Sequence, residues 1–152
     1  MKFREVPLDQ EILKRLIELS VEWETEDSCY GYRANSKEDI EGNRIFIAEE
    51  NGEIIAYLFG HSTESKNQSS IIPDGTKCFE AMEIYVRKEY RSQGIGTRLF
   101  ALMEENIEDD YITLSTATKN WKAILHFYID ELEMTFHSAR LFKKTNKNNA
   151  SG

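Results

Sequence analysis

The sequence predicts an α/β fold in which helices flank both faces of one mixed, mostly antiparallel sheet of about six strands. Asn51-Gly52 lies between two apolar runs and is a strong hairpin signal, so it indicates an antiparallel pair. A strand, a helix and another strand follow one another over residues 79–116, an order typical of a parallel crossover. The chain has 152 residues, 40% of them hydrophobic, which suits one domain with a single core.

The first predicted strand covers residues 3–6, and Pro7 ends it because proline cannot continue a paired strand. A long helix is predicted to follow from Asp9, since apolar residues recur there with a helical period. These apolar residues are Ile12, Leu13, Leu16, Ile17 and Val21.

A short second helix and the hairpin come next. Ser36 followed by Asp39 resembles a capping box, so the helix is predicted to begin there and to end near Gly42. Residues 44–49 and 53–60 are then the two strands of the hairpin.

The middle of the chain is predicted to form the crossover unit. The polar residues 62–76 read as a surface loop, and residues 79–86 form the next strand. The helix that follows presents one apolar face, made of Ile95, Leu99, Leu102, Met103 and Ile107. Residues 111–116 complete the unit as a strand.

The last third of the chain is predicted to add one helix and one strand. The helix begins at Asn120, and its apolar face consists of Trp121, Ile124, Leu125, Tyr128 and Leu132. Residues 136–143 form the closing strand of a domain that spans residues 1–143. The polar residues 144–152 are expected to be a disordered tail.

A glycine-containing loop between a strand and a helix, within residues 82–100, is the most informative motif. Gly94 and Gly96 let the main chain approach an anion, and the first N–H groups of the helix point toward it. Four cationic side chains lie nearby in an otherwise acidic chain: Arg87, Lys88, Arg91 and Arg98. The motif therefore predicts a site for a cofactor that carries a pyrophosphate, with an ordinary turn as the alternative.

Two other phosphate-binding motifs fit this loop less well. A dinucleotide fingerprint needs a third glycine at the position of Leu99. A P-loop needs Gly-Lys followed by Ser or Thr, whereas this chain has Gly96-Thr97-Arg98.

The motif Arg91-Ser92-Gln93-Gly94-Ile95-Gly96 resembles the Arg/Gln-x-x-Gly-x-Gly/Ala signature of the GNAT superfamily of acetyl-CoA-dependent N-acetyltransferases. The element order agrees over residues 3–142, and Asn120-x-x-Ala123 is similar to a second family motif. Three features depart from the family pattern. Lys88 replaces a common proline, Phe127 stands where the family tyrosine commonly lies, and Leu132-Glu133-Met134 replaces Leu-Gly-Phe.

The resemblance implies that acetyl-CoA (coenzyme A) binds at the loop and at the strand before it. The implied cofactor-binding residues are Ile84, Tyr85, Val86, Arg91, Ser92, Gln93, Gly94, Ile95, Gly96, Thr97 and Asn120. Main-chain groups of residues 84–86 would pair with the pantetheine amides as an added strand does, and one amide would stabilise the oxyanion. Asn120 would reach the pantetheine arm, although asparagine is also a preferred helix N-cap.

Acetyl transfer also needs a base for the amine and an acid for the leaving thiolate. Glu80 and Glu83 lie on the cofactor strand, and their spacing predicts that they face opposite sides of the sheet. Glu83 is favoured slightly as the base, and two solvated strand charges are the alternative. Tyr128 is the predicted acid, with packing in the core as the alternative.

The predicted acceptor wall lies between the first two helices. Residues 22–27 are acidic, and Glu24 with the rings of Trp23, Tyr30 and Tyr32 would hold a cation through a carboxylate and ring faces. A solvated helix end is the alternative. The net charge of −8 argues against a nucleic-acid partner and fits a small cationic amine.

Several other classes of protein and site are not expected. The sequence has no run of about 18 apolar residues, so no membrane partner is predicted. His61, His126 and His137 lack metal-ligand spacing, so no metal site is predicted. Cys29 and Cys78 are expected to be reduced thiols of a cytoplasmic protein, and no nucleophile has a triad partner, which favours direct transfer.

The sequence therefore favours an enzyme that acetylates a small cationic amine. A non-catalytic module that senses acyl-CoA, an acetyltransferase for protein amines and another type of nucleotide-binding protein are the alternatives. A homodimer is left open.

Overall fold

The computed structural model describes residues 1–68 and 71–149 and contains one five-stranded mixed sheet. The strands lie in chain order: β1 Lys2–Val6, β2 Arg44–Glu50, β3 Glu53–Glu64, β4 Lys77–Val86 and β5 Tyr111–Thr113. The first four strands are antiparallel neighbours, and β5 runs parallel to β4. The predicted α/β class is confirmed, with five strands in place of about six.

Helices flank the sheet and connect its strands. They are α1 Gln10–Glu26, α2 Lys37–Ile40, α3 Ile95–Asn106 and α4 Trp121–Leu125. Short 3₁₀ turns occur at Lys88–Tyr90 and Asn146–Asn149, and α4 continues as a π-helical segment, His126–Glu131. In residues 1–68 and 71–149, the longest apolar helical stretch falls short of what crossing a bilayer requires.

Local signals in the first half of the chain explain where its elements begin. The side chain of Asp9 accepts a 2.8 Å hydrogen bond from Ile12 N–H and so caps α1. The N–H group of Ser36 donates to Asp39 at 2.8 Å, as the capping-box pattern predicts for α2. In the hairpin, Asn51 and Gly52 have φ of 53° and 78°, which matches the twist of the flanking strands.

Apolar side chains cover both faces of the sheet. On one face α1 packs against β2, β3 and β4 through a cluster that includes Leu16, Leu19, Ile47 and Tyr57. On the other face α3 packs through a cluster that includes Phe46, Leu58, Phe79, Leu99 and Met103. The sheet is therefore the middle layer, and the residues that link β4 to α3 lie at its edge.

A β-bulge interrupts β4 opposite Gly60. Glu83 pairs with Phe59 and Ala81 pairs with Gly60, so Met82 has no partner on β3. A Cβ atom at position 60 would lie 2.7 Å from Cε1 of Phe79 and would also collide with the carbonyl oxygen of Glu80. Only glycine allows β3 and β4 to approach this closely, and the bulge bends β4 at that point.

The bulge shifts the alternation of side chains between the two faces by one residue beyond Met82. This shift overturns one expectation. Glu83 pairs with Phe59, which belongs to the cluster on the α1 face. Glu80 pairs with His61, which lies two residues further along β3 and therefore on the same face. Directly paired residues share a face, so Glu80 and Glu83 lie on the same face of the sheet. The prediction that they face opposite sides is wrong, because the extra residue shifts the alternation by one.

The chain after residue 110 differs most from the prediction. The β5 strand has three residues in place of six, and residues 136–143 form no strand in the described part of the chain. Neither face of that segment is consistently apolar, so pairing it would bury little, and Leu141 is 90% exposed. Trp121, predicted to be on an apolar face, is also exposed. Of the predicted tail, residues 150–152 lie outside the described residues.

Replacing Gly60 with alanine should lower the free energy of unfolding by about 3 kcal/mol or more, because the new methyl group overlaps the main chain of β4. Chemical denaturation measures the change. Gly42→Ala is the matched control, because position 42 has free space and a φ of 79°, where alanine costs about 1–2 kcal/mol. Equal losses in the two variants would contradict the close approach at Gly60.

Candidate active site

One edge of β4 is open along its second half. Pairing with β5 extends only from Cys78 to Glu80. In the described part of the chain, residues 81–86 of β4 therefore have no strand partner on that side. Arg87 N–H donates to Ile55 O at 3.0 Å on the β3 side. Hydrogen-bonded pairs alternate in an antiparallel ladder, so the main-chain groups of Tyr85 also point to β3. Those of Ile84 and Val86 point to the open edge, which corrects the expectation of a main-chain cofactor contact at Tyr85.

The glycine loop joins this edge to the start of α3. Ser92 and Gly94 have φ of 63° and 76°, so the loop folds back tightly before the helix. The first bond of the helix runs from Arg98 N–H to Gly94 O at 3.1 Å. The N–H groups of residues 95–97 precede that bond and have no partner within the helix. Residues 91–94 are exposed, so a ligand can reach these donors from solvent.

Phe127 covers the first turn of α3. A Cβ atom on Gly96 would lie 3.0 Å from Cζ of Phe127 and 3.9 Å from Cδ1 of Ile84. Gly96 therefore brings the π-helical segment close to both the loop and β4. Such segments occur often at functional sites. This one carries Phe127, which stands where the family resemblance leads us to expect a tyrosine.

The side chain of Arg91 is engaged within the chain. Its Nε donates to Val86 O at 2.8 Å, and its guanidinium pairs with Glu26 at 2.8 Å. It also lies 5.4 Å from the centre of the Tyr85 ring. In this conformation Arg91 ties the end of α1 to the end of β4.

Glu83 is the centre of a polar cluster on the α1 face. Its Oε2 accepts hydrogen bonds from Asn35 Nδ2 at 2.8 Å, from Tyr57 Oη at 2.9 Å and from Tyr32 Oη at 3.4 Å. Glu83 is half-buried, and burial raises the pKa of its carboxyl group, while these three hydrogen bonds act in the opposite direction. All three donors are neutral, so the carboxylate lacks a cationic partner among them.

The two tyrosines of this cluster remain protonated at neutral pH. Burial raises the pKa of Tyr57 well above its usual value, and the charge of Glu83 raises it further. The same two causes raise the pKa of Tyr32. Both hydroxyl groups therefore act as neutral hydrogen-bond donors, and the half-buried carboxylate receives no positive charge from them.

An aromatic stack beside Glu83 contains the predicted Trp23. The indole lies 4.2 Å from the ring of Tyr32 and 5.4 Å from the ring of Tyr85, and both pairs are stacked. The indole N–H group donates to Ser28 at 3.2 Å. Trp23 stacks on two other rings, so it supports the wall of the site by packing.

The other predicted acceptor residues also have partners within the chain. Glu24 accepts a hydrogen bond from Ala34 N–H, and Lys119 lies 5.4 Å above the ring of Tyr30. The remaining acidic residues of this segment form ion pairs: Glu22 with Arg87 at 3.1 Å, Glu26 with Arg91 at 2.8 Å and Asp27 with Lys119 at 3.0 Å. The acidic segment thus fastens α1 to β4 and to the chain after β5.

Tyr128 and Asn120 lie in the last third of the chain. Burial raises the pKa of Tyr128 to about 12, and the nearby Cys29 adds to the shift, so the hydroxyl group is protonated at neutral pH. The Tyr128 ring is 5.1 Å from that of Phe127, which contacts the loop. Asn120 occupies the N-cap position of α4, but its side chain makes no capping hydrogen bond and stays exposed.

Two residues of the cluster were missed by the sequence analysis. Asn35 was overlooked because it lies in a loop, one residue before the capping box. Tyr57 was assigned only to a strand, although a buried tyrosine hydroxyl group usually has a hydrogen-bond partner, which was a usable signal. Across residues 1–68 and 71–149, no group of three His, Cys, Asp or Glu side chains could hold a metal ion.

Comparison with known proteins gives one family and many similar folds. The model of the Acetyltransferase (GNAT) family matches residues 12–130. No curated protein sequence matches the chain.

Three solved structures illustrate the similarity of fold. A ribosomal-protein-alanine N-acetyltransferase from Brucella melitensis biovar Abortus 2308 has 13% identity and a TM-score of 0.66, covering 95% of this chain and 100% of that one. An aminoglycoside N-acetyltransferase in complex with CoA has 14% identity and a TM-score of 0.65, covering 95% and 98%. A transcriptional regulator from Bacillus halodurans C-125 has 19% identity and a TM-score of 0.67, covering 95% and 99%.

Replacing Glu83 with glutamine should stabilise the protein at neutral pH. The raised pKa means that the folded state holds the Glu83 proton more tightly than the unfolded state does. The free energy of unfolding therefore falls as the pH rises from about 4.3, the usual pKa of glutamic acid, through the raised pKa of Glu83. Glutamine avoids this loss, and its amide oxygen can still accept hydrogen bonds from the nearest donors, Asn35 and Tyr57.

Urea denaturation of both proteins between pH 4 and pH 8 measures this effect. The advantage of Glu83→Gln should grow with pH and level off above the raised pKa. Glu104→Gln, at an exposed position on α3, is the control for loss of one negative charge. An advantage that does not depend on pH would contradict the burial of an ionised Glu83.

Proposed function

Because this chain belongs to the acetyltransferase (GNAT) family, we propose that residues 1–143 transfer the acetyl group of acetyl-CoA directly to a primary amine of a small, cationic acceptor. The observation that carries the proposal is Glu83, a half-buried carboxylate that accepts three hydrogen bonds from neutral donors. It lies next to Ile84, which turns its main-chain groups to the open edge of β4.

The residues at the loop and the open edge fit coenzyme A. Three N–H groups at residues 95–97 precede the first bond of α3, so they are suited to a pyrophosphate. The main chain of Ile84 offers an N–H and a C=O group to an extended pantetheine arm, as an added strand would use them. The exposed side chain of Asn120 would approach the same arm from α4.

Glu83 would act as the base. An amine with a pKa of about 10.4 is protonated at neutral pH, so it must lose a proton before it attacks. The ammonium group would first pair with the Glu83 carboxylate, and the proton would then pass to that carboxylate directly or through a water molecule. Burial raises the pKa of Glu83, which makes its carboxylate a better proton acceptor than an exposed one.

Two further groups would assist the reaction at the carbonyl. Bound acetyl-CoA supplies the thioester carbonyl that the amine attacks. The N–H group of Ile84 or Val86 would donate to the oxyanion from the open edge. Tyr128, which is protonated at neutral pH, would give its proton to the leaving thiolate.

The charges around Glu83 support a cationic acceptor. Glu80 lies on the same face of β4, and the negative charge of Asp39 also acts on Glu83. The names of two similar structures agree with an amine acceptor, since one is an aminoglycoside and the other a ribosomal-protein-alanine N-acetyltransferase. A small acceptor is preferred, and a protein amine is the second candidate.

The proposal predicts that coenzyme A raises the melting temperature and that an amine panel releases free thiol from acetyl-CoA. A ligand at about 100 times its Kd adds about 2.7 kcal/mol to the free energy of unfolding. Gly94→Asp should abolish both effects, because it brings a negative charge to the loop and a side chain to a φ of 76°. Gly42→Asp, with a similar φ of 79° far from the loop in sequence, is the control.

The possible results separate the candidate functions. Stabilisation by coenzyme A without thiol release from any amine would favour a non-catalytic sensor of acyl-CoA. Stronger stabilisation by ATP or NAD than by coenzyme A would overturn the proposal.

Tyr128→Phe should lower kcat at least about tenfold if Tyr128 is the acid. The Kd for coenzyme A should stay near that of the unchanged protein, because the hydroxyl group acts only as the thiolate leaves. Steady-state kinetics and calorimetry measure the two quantities. Normal turnover in this variant would show that another group, or water, protonates the thiolate.

A further inference from the structure

Asn35 connects α1 to β4 through both its main chain and its side chain. Its N–H group donates to Ser20 Oγ at 2.9 Å, and Ser20 Oγ in turn donates to Ile17 O at 2.8 Å. Its side-chain Nδ2 donates to Glu83 Oε2 at 2.8 Å. Asn35 is only 9% exposed, and Ser20 is fully buried in α1. A buried asparagine that is held at its main chain has few other places for its amide group.

The donors around Glu83 all reach the same carboxylate oxygen. Asn35, Tyr57 and Tyr32 donate to Oε2, and no hydrogen bond reaches Oε1 from any residue in 1–68 or 71–149. A carboxylate has lone pairs on both oxygens, and an ionised one normally accepts bonds at both. The arrangement therefore fixes the rotation of the carboxylate and leaves one oxygen with its acceptor capacity unused.

We propose that Asn35 is a positioning residue that anchors Oε2 of Glu83 and thereby leaves Oε1 to receive the ammonium group of the acceptor. The proposal rests on the proposed function and adds a division of labour between the two oxygens. Asn35 does not touch the acceptor and acts only through Glu83.

Asn35 differs from the two tyrosines in what it contributes. Its amide group cannot ionise, and it is held by α1, whereas the hydroxyl group of Tyr32 is 3.4 Å from Oε2. Since a hydrogen bond to the charged form favours that form, Asn35 keeps Glu83 ionised at a lower pH than burial alone would allow. The position of the loop between α1 and α2 thus sets both the direction and the basicity of the carboxylate.

Other titratable groups also face Glu83 and form the background for any test. They are Tyr57 and His61 on β3, Glu80 and Tyr85 on β4, Asp39 on α2 and Tyr32 in the loop between α1 and α2. From α1, the neutral side chains of Leu16, Leu19 and Trp23 pack on the same cluster. All of these side chains are kept when Asn35 alone is replaced. A shift in the titration midpoint of Glu83 therefore reports on the amide group of Asn35.

The test compares Asn35→Ala and Asn35→Asp with the unchanged protein. The titration of the Glu83 carboxyl group is followed by carbon NMR in the free protein, with Glu83→Gln to assign the signal. Loss of the amide donor in Asn35→Ala should raise the midpoint by about one pH unit. Asn35→Asp should raise it further, because a second negative charge then lies beside the first. Asn106→Ala, which removes an exposed asparagine on α3, should leave the midpoint unchanged.

The kinetic arm uses the same variants with acetyl-CoA and a reactive amine. The acidic limb of kcat/KM should move to higher pH in the same order, from the unchanged protein to Asn35→Ala and then to Asn35→Asp, with an unchanged Kd for coenzyme A. An unchanged midpoint would overturn the proposal even if the enzyme acetylates amines, because Asn35 would then only support the loop. A shifted midpoint without transfer to any amine would support the anchoring of Oε2 and would refute the proposed function instead.

Discussion

The close approach of β3 to β4 at Gly60 is the constraint on which the candidate site depends. The missing side chain lets the main chain of Glu80 and Ala81 and the ring of Phe79 come near, and Met82 then bulges out of the pairing. Two consequences follow at once. Glu83 turns to the face that α1 covers, and β4 bends where its pairing with β5 ends. The half-buried carboxylate and the open strand edge are therefore products of one local distortion.

The last turns of α1 link the two halves of the site. Glu22 and Glu26 pair with Arg87 and Arg91, which flank the strand end and the glycine loop. Trp23, on the same helix, stacks on the rings of Tyr32 and Tyr85. The loop that would bind a cofactor and the wall that would face an acceptor thus share one support. The ion pairs of these acidic residues hold this support in place.

Much of the fold could be predicted because its signals are local. The Asn51-Gly52 turn, the start of α1 after Asp9 and the glycine before α3 each depend on a few neighbouring residues, and all are found where the sequence placed them. The bulge at Met82 could not be predicted, because it depends on which residue of β3 lies opposite. The same holds for Asn35, whose partner Glu83 is 48 residues away. The closing strand predicted over residues 136–143 does not form, because the segment lacks a consistent apolar face.

The short pairing between β5 and β4 has a consequence for cooperativity. Only three residues of β5 pair with β4, while β3 pairs with β4 over nine positions. A region attached by few ladder bonds opens locally at a lower free energy than the core does. We therefore expect the C-terminal third, which carries Phe127 against Gly96, to open at a lower free energy than the four antiparallel strands. A ligand held between β4 and this third would slow amide exchange on both sides.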